Sequence, residues 1–122
     1  MDMAKNTRQR EAVYAVLCAS HIHPTAAEVY ETVRETMPNI GVATVYRTLA
    51  MLCESGSAIA LHDKNGVTHY DGCVAPHNHI YCSSSRRVLD IDATVTVDTS
   101  ADSRYDVERY STMFYGTCRN CE

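Results

Sequence analysis

The hydrophobic period of the chain changes at Gly56. Upstream, "NIGVATVYRTLAMLCESG" sets Val45, Leu49 and Leu52 on one face of a helix from about Val42 to Ser55, with Gly56 as its stop. Downstream the period is two: "SAIALHD" and "VTHYD" flank Lys64-Asn65-Gly66, and Asn-Gly is a strong signal for a tight hairpin turn. Two more helical patterns come first. Asn6 or Thr7 can cap a helix that carries Ala12, Val13, Val16 and Leu17 and ends near Ser20. Thr25, with Glu28 three residues on, reads as the capping box of a second helix bearing Val29, Tyr30 and Val33 and closing at Met37-Pro38. Three helices followed by a hairpin are the order of a winged helix-turn-helix.

Gly72 reads as a hinge. Beyond it, "HIYC", "RVLDI", "ATVTVDT" and "YSTMFYGTC" read as strands of a small sheet, while 99–109 carries no clear pattern. The expected fold class is α+β, with a winged helix over 1–72 and a small sheet-bearing domain over 73–122. The 122 residues suffice for one ordinary domain or two small ones.

No apolar run approaches the roughly 18 residues that cross a bilayer, and "MDMAKNTRQR" lacks the apolar stretch of a signal peptide, so the expected location is cytoplasmic, with no membrane partner. In a reducing cytosol the six cysteines read as metal ligands or buried thiols, and Cys118-x-x-Cys121 has metal-ligand spacing that makes zinc the first suspect. Cys18 and Cys53 fall within helices and read as small buried hydrophobes.

A net charge of −4 argues against gripping nucleic acid by bulk electrostatics but leaves room for a local patch. Lys5, Arg8 and Arg10 crowd the start of the chain, and Arg47 stands apart on the third helix. In a winged helix that helix enters the major groove. Its outward face offers Ala43, Thr44, Tyr46 and Arg47, where Arg can donate a bidentate pair to guanine and Thr or Tyr can meet a phosphate or a thymine methyl. The plainer reading of the same residues is a solvated helix face.

"HNHIYC" sets His77 and His79 on one side of a strand. Imidazole with carboxylate suits Fe(II), Mn(II), Co(II) or Zn(II). His23, Asp71 and Asp90 are the further candidates, although each alone reads equally well as a capping group or a surface charge.

The stretches "TRQR", "HPTAAEVY", "PNIGVATVYRTL", "ESG", "HYD", "HNHIYC", "VLDI" and "YGTCRNC" follow one another as in the ferric uptake regulator family, which the chain resembles over nearly its whole length. The resemblance implies a metal-dependent, DNA-binding transcriptional regulator, a repressor with a winged-helix DNA-binding domain over 1–72 and a small α/β dimerization and metal-binding domain over 73–122. It implies a homodimer on a double-stranded operator with inverted half-sites about one turn, roughly 34 Å, apart. Tyr46 and Arg47, with Thr44 beside them, would meet the major groove, and Lys5, just before the first helix, would lie near the minor groove. His23, Asp71, His77, His79 and Asp90 would form the regulatory site for Fe(II) or Mn(II).

Asp90 is as in the peroxide-sensing members of the family, where iron-specific members tend to carry Glu. Arg47 points the other way, since peroxide sensors often carry Asn there. On the peroxide reading, His23 and His77 are the oxidation-sensitive ligands. The family's structural zinc takes two Cys-x-x-Cys pairs; here Cys82, Cys118 and Cys121 remain and Ser85 replaces the fourth, leaving an incomplete site. A water or Cys73 could be the fourth ligand, or the Cys118 and Cys121 pair could be free or oxidised. Residues 92 to 103 are short where relatives carry a helix, and Tyr110-Ser111 replace a further His ligand, so the second domain is expected to be trimmed. The alternatives are an iron- or other metal-responsive repressor, a metal-independent DNA binder, and a metal hydrolase; for the last, no separate general base or pocket signature is present, and no catalytic residue is assigned.

Overall fold

A computed structural model describes residues 3–120, with side chains from Asn6 to Asn120. The chain divides into two compact units, Met1–Ala75 and Pro76–Glu122.

The first unit runs α1 (Met3–Ala19), α2 (Ala26–Val33), α3 (Val42–Glu54), β1 (Ile59–His62) and β2 (Thr68–Asp71), the element order of a winged helix. Val13 and Leu17 of α1, Val29 and Val33 of α2, and Val45 and Leu49 of α3 form its fully buried core. α1 begins before the expected cap at Asn6 or Thr7. Met, Ala and Lys are strong helix formers and extend the helix toward the N-terminus. Lys5 therefore belongs to α1 rather than to an arm ahead of it, and its side chain lies outside the described residues.

The capping box of α2 is formed: Glu28 N donates to Thr25 Oγ1 at 3.3 Å, and Thr25 N donates to Glu28 Oε1 at 3.0 Å. α2 stops at Val33, short of the expected Met37-Pro38, and the chain leaves it through a turn in which Met37 N donates to Val33 O at 2.9 Å. Pro38 biases Met37 away from helical geometry, so the helix unwinds ahead of it. α3 ends where expected, and Gly56 takes the left-handed φ of +79° that its stop requires.

β1 and β2 pair antiparallel from Ile59↔Asp71 to His62↔Thr68. The turn between them is wider than the two-residue Asn-Gly turn expected. Asp63 N donates to Val67 O and Gly66 N to Asp63 O, each at 3.0 Å, and Gly66 alone in the loop has positive φ, +80°. The Asp63 carboxylate holds this loop open by accepting from Asn65 N at 2.8 Å and Val67 N at 3.1 Å.

The second unit is a three-stranded sheet in the order β4-β3-β5. β3 (Asn78–Cys82) pairs antiparallel with β4 (Arg87–Ile91) and parallel with β5 (Met113–Gly116). The expected strand "ATVTVDT" is absent: 93–99 is irregular, with Val97 exposed. Alternating Val and Thr favour a strand, but a strand is stabilised by cross-strand partners, and β3 already has a neighbour on each side. Among the described residues this unit has no helix, so the family's α/β domain is reduced here to its sheet.

Candidate functional site

The second unit brings three metal donors together. His77 precedes β3 and His79 lies within it, so the strand's alternation turns both imidazoles to one side, with ring centroids 4.3 Å apart. Asp90 of β4 is the cross-strand partner of His79. Its Oδ1 lies 3.1 Å from Nε2 of His77 and 3.5 Å from Nε2 of His79. Donors that each sit about 2.1 Å from one ion are roughly 3 to 4 Å from one another, so this trio fits a first-row divalent metal.

The first unit presents a second pair. His23 Nε2 lies 3.6 Å from Asp71 Oδ2, with both side chains buried. Asp71 sits at the end of β2, where its Oδ1 accepts from Cys73 N at 2.8 Å, a contact that leaves Oδ2 turned toward His23. His23 has a left-handed backbone, φ +46°, unusual for a non-glycine residue. Its surroundings fix that conformation: Tyr70 N donates to Pro24 O at 2.9 Å, Thr25 bridges to His69, and Thr25 is bound as the cap of α2.

Two residues that the sequence reading passed over complete this corner. His69 is buried between the wing and the segment before α2, with Nδ1 3.1 Å from His23 O and Nε2 2.8 Å from Asp63 Oδ2. The two ring nitrogens thus tie the His23 carbonyl to the Asp63 carboxylate through one imidazole. Burial alone would push the Asp63 carboxyl up, but hydrogen bonds from His69 and the N–H groups of Val67 and Asn65 outweigh it and hold the group below the usual carboxylate range. The signal was present in "THYD", where His69 and Asp71 share one face of β2, but nothing local tied His69 to His23.

On α3, Tyr46 and Arg47 are exposed as expected. Thr44 is half-buried and accepts from Arg47 Nη2 at 3.3 Å, so it steadies the guanidinium as well as lining the face.

Cys82 and Cys118 come together across β3 and β5, their sulfurs 3.1 Å apart, with Cys118 N donating to Cys82 Sγ at 3.3 Å. Cys118 is disulfide-bonded, while Cys73 and Cys82 are in no disulfide. Cys121 lies outside the described residues. Ser85, in the turn after β3, holds the Cys82 thiol down to about 7 through its hydroxyl and its backbone N–H. Cys18 is exposed, contrary to the buried role expected of it, because α1 turns that face outward; Cys53 is half-buried, and that burial pushes its thiol up.

A winged helix followed by a small sheet, with imidazole and carboxylate donors in both units, defines a helix-turn-helix protein equipped for a divalent metal. The chain belongs to the ferric uptake regulator family, whose model matches residues 2–113. It is 29% identical over 120 residues to the peroxide-responsive repressor PerR of Staphylococcus aureus, covering 95% of this chain and 81% of that protein. Among solved structures it is similar to the Campylobacter jejuni peroxide stress regulator, with TM-score 0.76, 25% identity, and coverage of 99% of this chain and 100% of that one. The Helicobacter pylori ferric uptake regulator, described as having three functional metal-binding sites, shares the fold at TM-score 0.72 and 20% identity, covering 96% and 84% of the two chains. No helix among the described residues is long and apolar enough to cross a membrane.

Proposed function

We propose that this member of the family is a cytoplasmic, homodimeric repressor that binds an inverted-repeat operator when Fe(II) or Mn(II) is bound, and that peroxide acting on the iron form releases it. His23 and Asp71 of the first unit and His77, His79 and Asp90 of the second are the proposed ligands of one ion, which thereby fixes the winged helix for binding DNA. The observation that carries this reading is the convergence of His77 and His79 on Oδ1 of Asp90. Fe(II) held by these residues would supply the redox chemistry that activates peroxide. The rings of His23 and His77 would take up one oxygen, with peroxide as the two-electron oxidant and water as the other product, and an oxidised ring would be a weaker ligand, so the proposed link between the units would be lost. Thr44, Tyr46 and Arg47 are the proposed readers of the major groove, with Lys5 as a phosphate or minor-groove contact. Cys82, Cys118 and Cys121 could hold Zn(II) only when reduced, and then with an open fourth position.

Arg47 favours a second reading, an iron-responsive repressor. One experiment separates the two. Duplex DNA is selected from a random pool by the Mn(II)-loaded chain; the Fe(II) and Mn(II) forms are then treated with low peroxide, assayed for binding and mapped by peptide mass. A gain of one oxygen on peptides containing His23 or His77, with loss of DNA binding in the iron form only, is expected. Oxygen found only on Met or Cys peptides, or equally with both metals, supports the iron-responsive reading instead.

A further inference from the structure

A ligand imidazole is only as well placed as the backbone that carries it. At His23 that backbone is left-handed, φ +46°, a conformation of higher energy for a side-chain-bearing residue that persists only when its surroundings enforce it. The carbonyl of His23 accepts a hydrogen bond at 3.1 Å from Nδ1 of His69, a residue 46 positions away in sequence. The opposite nitrogen of the same ring is fixed at 2.8 Å by Asp63, whose carboxylate also takes the Asn65 and Val67 N–H groups of the wing loop. His69 and Asp63 are buried, so neither contact is weakened by competition from bulk water.

We propose that His69 is a positioning residue for the metal ligand His23, held in place by Asp63, and that this pair ties the wing loop to the metal site. It rests on the proposed metal-binding function. The ring braces the strained carbonyl of His23, and the brace leaves the imidazole of His23 facing Asp71. A hydrogen bond that orients a ligand in this way is typically worth about 10 to 100-fold in metal affinity. Since the far end of the brace is the loop at the tip of the wing, a change in the wing backbone is transmitted to His23 through two hydrogen bonds. All of these contacts lie within the first unit.

Two amide side chains dissect the brace. The Asn amide nitrogen occupies roughly the place of imidazole Nδ1, and the Gln amide nitrogen roughly that of Nε2. His69→Asn therefore keeps the bond to His23 O and loses Asp63, whereas His69→Gln keeps Asp63 and loses His23. Mn(II) is titrated into the full chain after metal removal, with the free ion followed by electron paramagnetic resonance. The expected order is parent, then His69→Asn within a few-fold, then His69→Gln weaker than parent by about 10-fold or more. Asp63→Asn should fall between the two. A metal-free readout runs beside it: in the parent and in Asp63→Asn, the Nδ1–H of His69 that donates to His23 O should exchange slowly with solvent. Far-ultraviolet circular dichroism of each metal-free variant establishes that it is folded. If the parent binds Mn(II) and His69→Gln binds it equally tightly, the brace is wrong while the metal reading stands. Equal weakening in His69→Asn and His69→Gln makes His69 a packing residue and also overturns the proposal. A parent chain that binds neither Mn(II) nor Fe(II) removes the metal reading, and this inference with it.

Discussion

Asp90 lies directly across the β3–β4 ladder from His79, its Oδ1 3.5 Å from the imidazole Nε2. The ladder sets that separation, which makes the trio with His77 a rigid feature of the sheet. Asp90 is the exposed member, so its removal leaves no cavity, whereas His79 is buried. Asp90→Ala should therefore leave the metal-free melting temperature nearly unchanged and weaken Mn(II) binding by at least 10-fold, in line with the loss of a ligand or its orienting partner. Calorimetric titration checks it; undiminished affinity would show that Asp90 is not a ligand.

Gly72 follows Asp71 and lies against the end of α1. A Cβ added there would sit 3.2 Å from Leu17 C, Cys18 N and Cys18 Sγ, two of them backbone atoms that cannot swing aside. Gly72→Ala is expected to push the end of β2 away from α1 and cost about 1 to 3 kcal/mol, the usual range for overpacking. Thermal unfolding of the metal-free chain measures this. Wild-type stability in that variant would mean that α1 and β2 yield more easily than their backbone contact implies.

The helices and the wing were legible because each was marked twice, by hydrophobic period and by a stop or cap such as Gly56 or the Thr25 and Glu28 pair. α1 was placed too late because Asn6 and Thr7 resemble caps while good helix formers lie ahead of them. "ATVTVDT" misled for a related reason: it has strand propensity, but a strand also needs a partner, and partners are set by the whole sheet. His77, His79 and Asp90 could be read from strand alternation and the family resemblance together. His69 and Asp63 could not, since the bond to His23 spans 46 positions and each residue alone looks like an ordinary polar group in a wing.

Arg47 is exposed on α3 and bonded to Thr44 Oγ1 at 3.3 Å, an arrangement that leaves the rest of its guanidinium fork open to a base edge. If it reads guanine, Arg47→Ala should cost about 1 to 3 kcal/mol on the selected duplex and little on random DNA. Equal losses on both would assign it to phosphate. Thr44→Val should reproduce part of the specific loss, because the guanidinium loses its support.

The depressed carboxyl of Asp63 sets a pH dependence. A carboxyl held lower in the folded chain than in the unfolded one adds stability above its unfolded value, about 3.9, and loses it as pH falls through the folded value. Asp63→Asn should therefore be less stable than the parent at neutral pH, with the difference narrowing as pH drops below about 4. Urea unfolding of the metal-free chains at several pH values gives the comparison. A difference that stayed constant down to acid pH would mean that the Asp63 charge contributes nothing to folding.

The cysteine cluster gives the last prediction. Ser85 stands where the family resemblance places a fourth thiolate, and its hydroxyl and backbone N–H hold the Cys82 thiol down to about 7. Ser85→Ala removes the hydroxyl, so the Cys82 thiol should move back up toward its ordinary range; the pH dependence of thiolate ultraviolet absorbance, taken as the difference from Cys82→Ser, reads this directly. Ser85→Cys does something else. It puts a sulfur in the turn that follows Cys82, whose own sulfur is 3.1 Å from that of Cys118, and four thiolates make the closed tetrahedral site that Zn(II) prefers. Cys118 must first be freed from its disulfide, so the comparison is made on reduced chains. Reduced Ser85→Cys should bind one equivalent of Zn(II) more tightly than the reduced parent and melt at a higher temperature when zinc is present, since a metal held only by the folded state stabilises it by mass action. Ser85→Ala, treated identically, should gain neither. If Ser85→Cys takes up no more zinc than Ser85→Ala, then Cys82, Cys118 and Cys121 do not converge in the reduced chain, and the cluster has been given over to the disulfide.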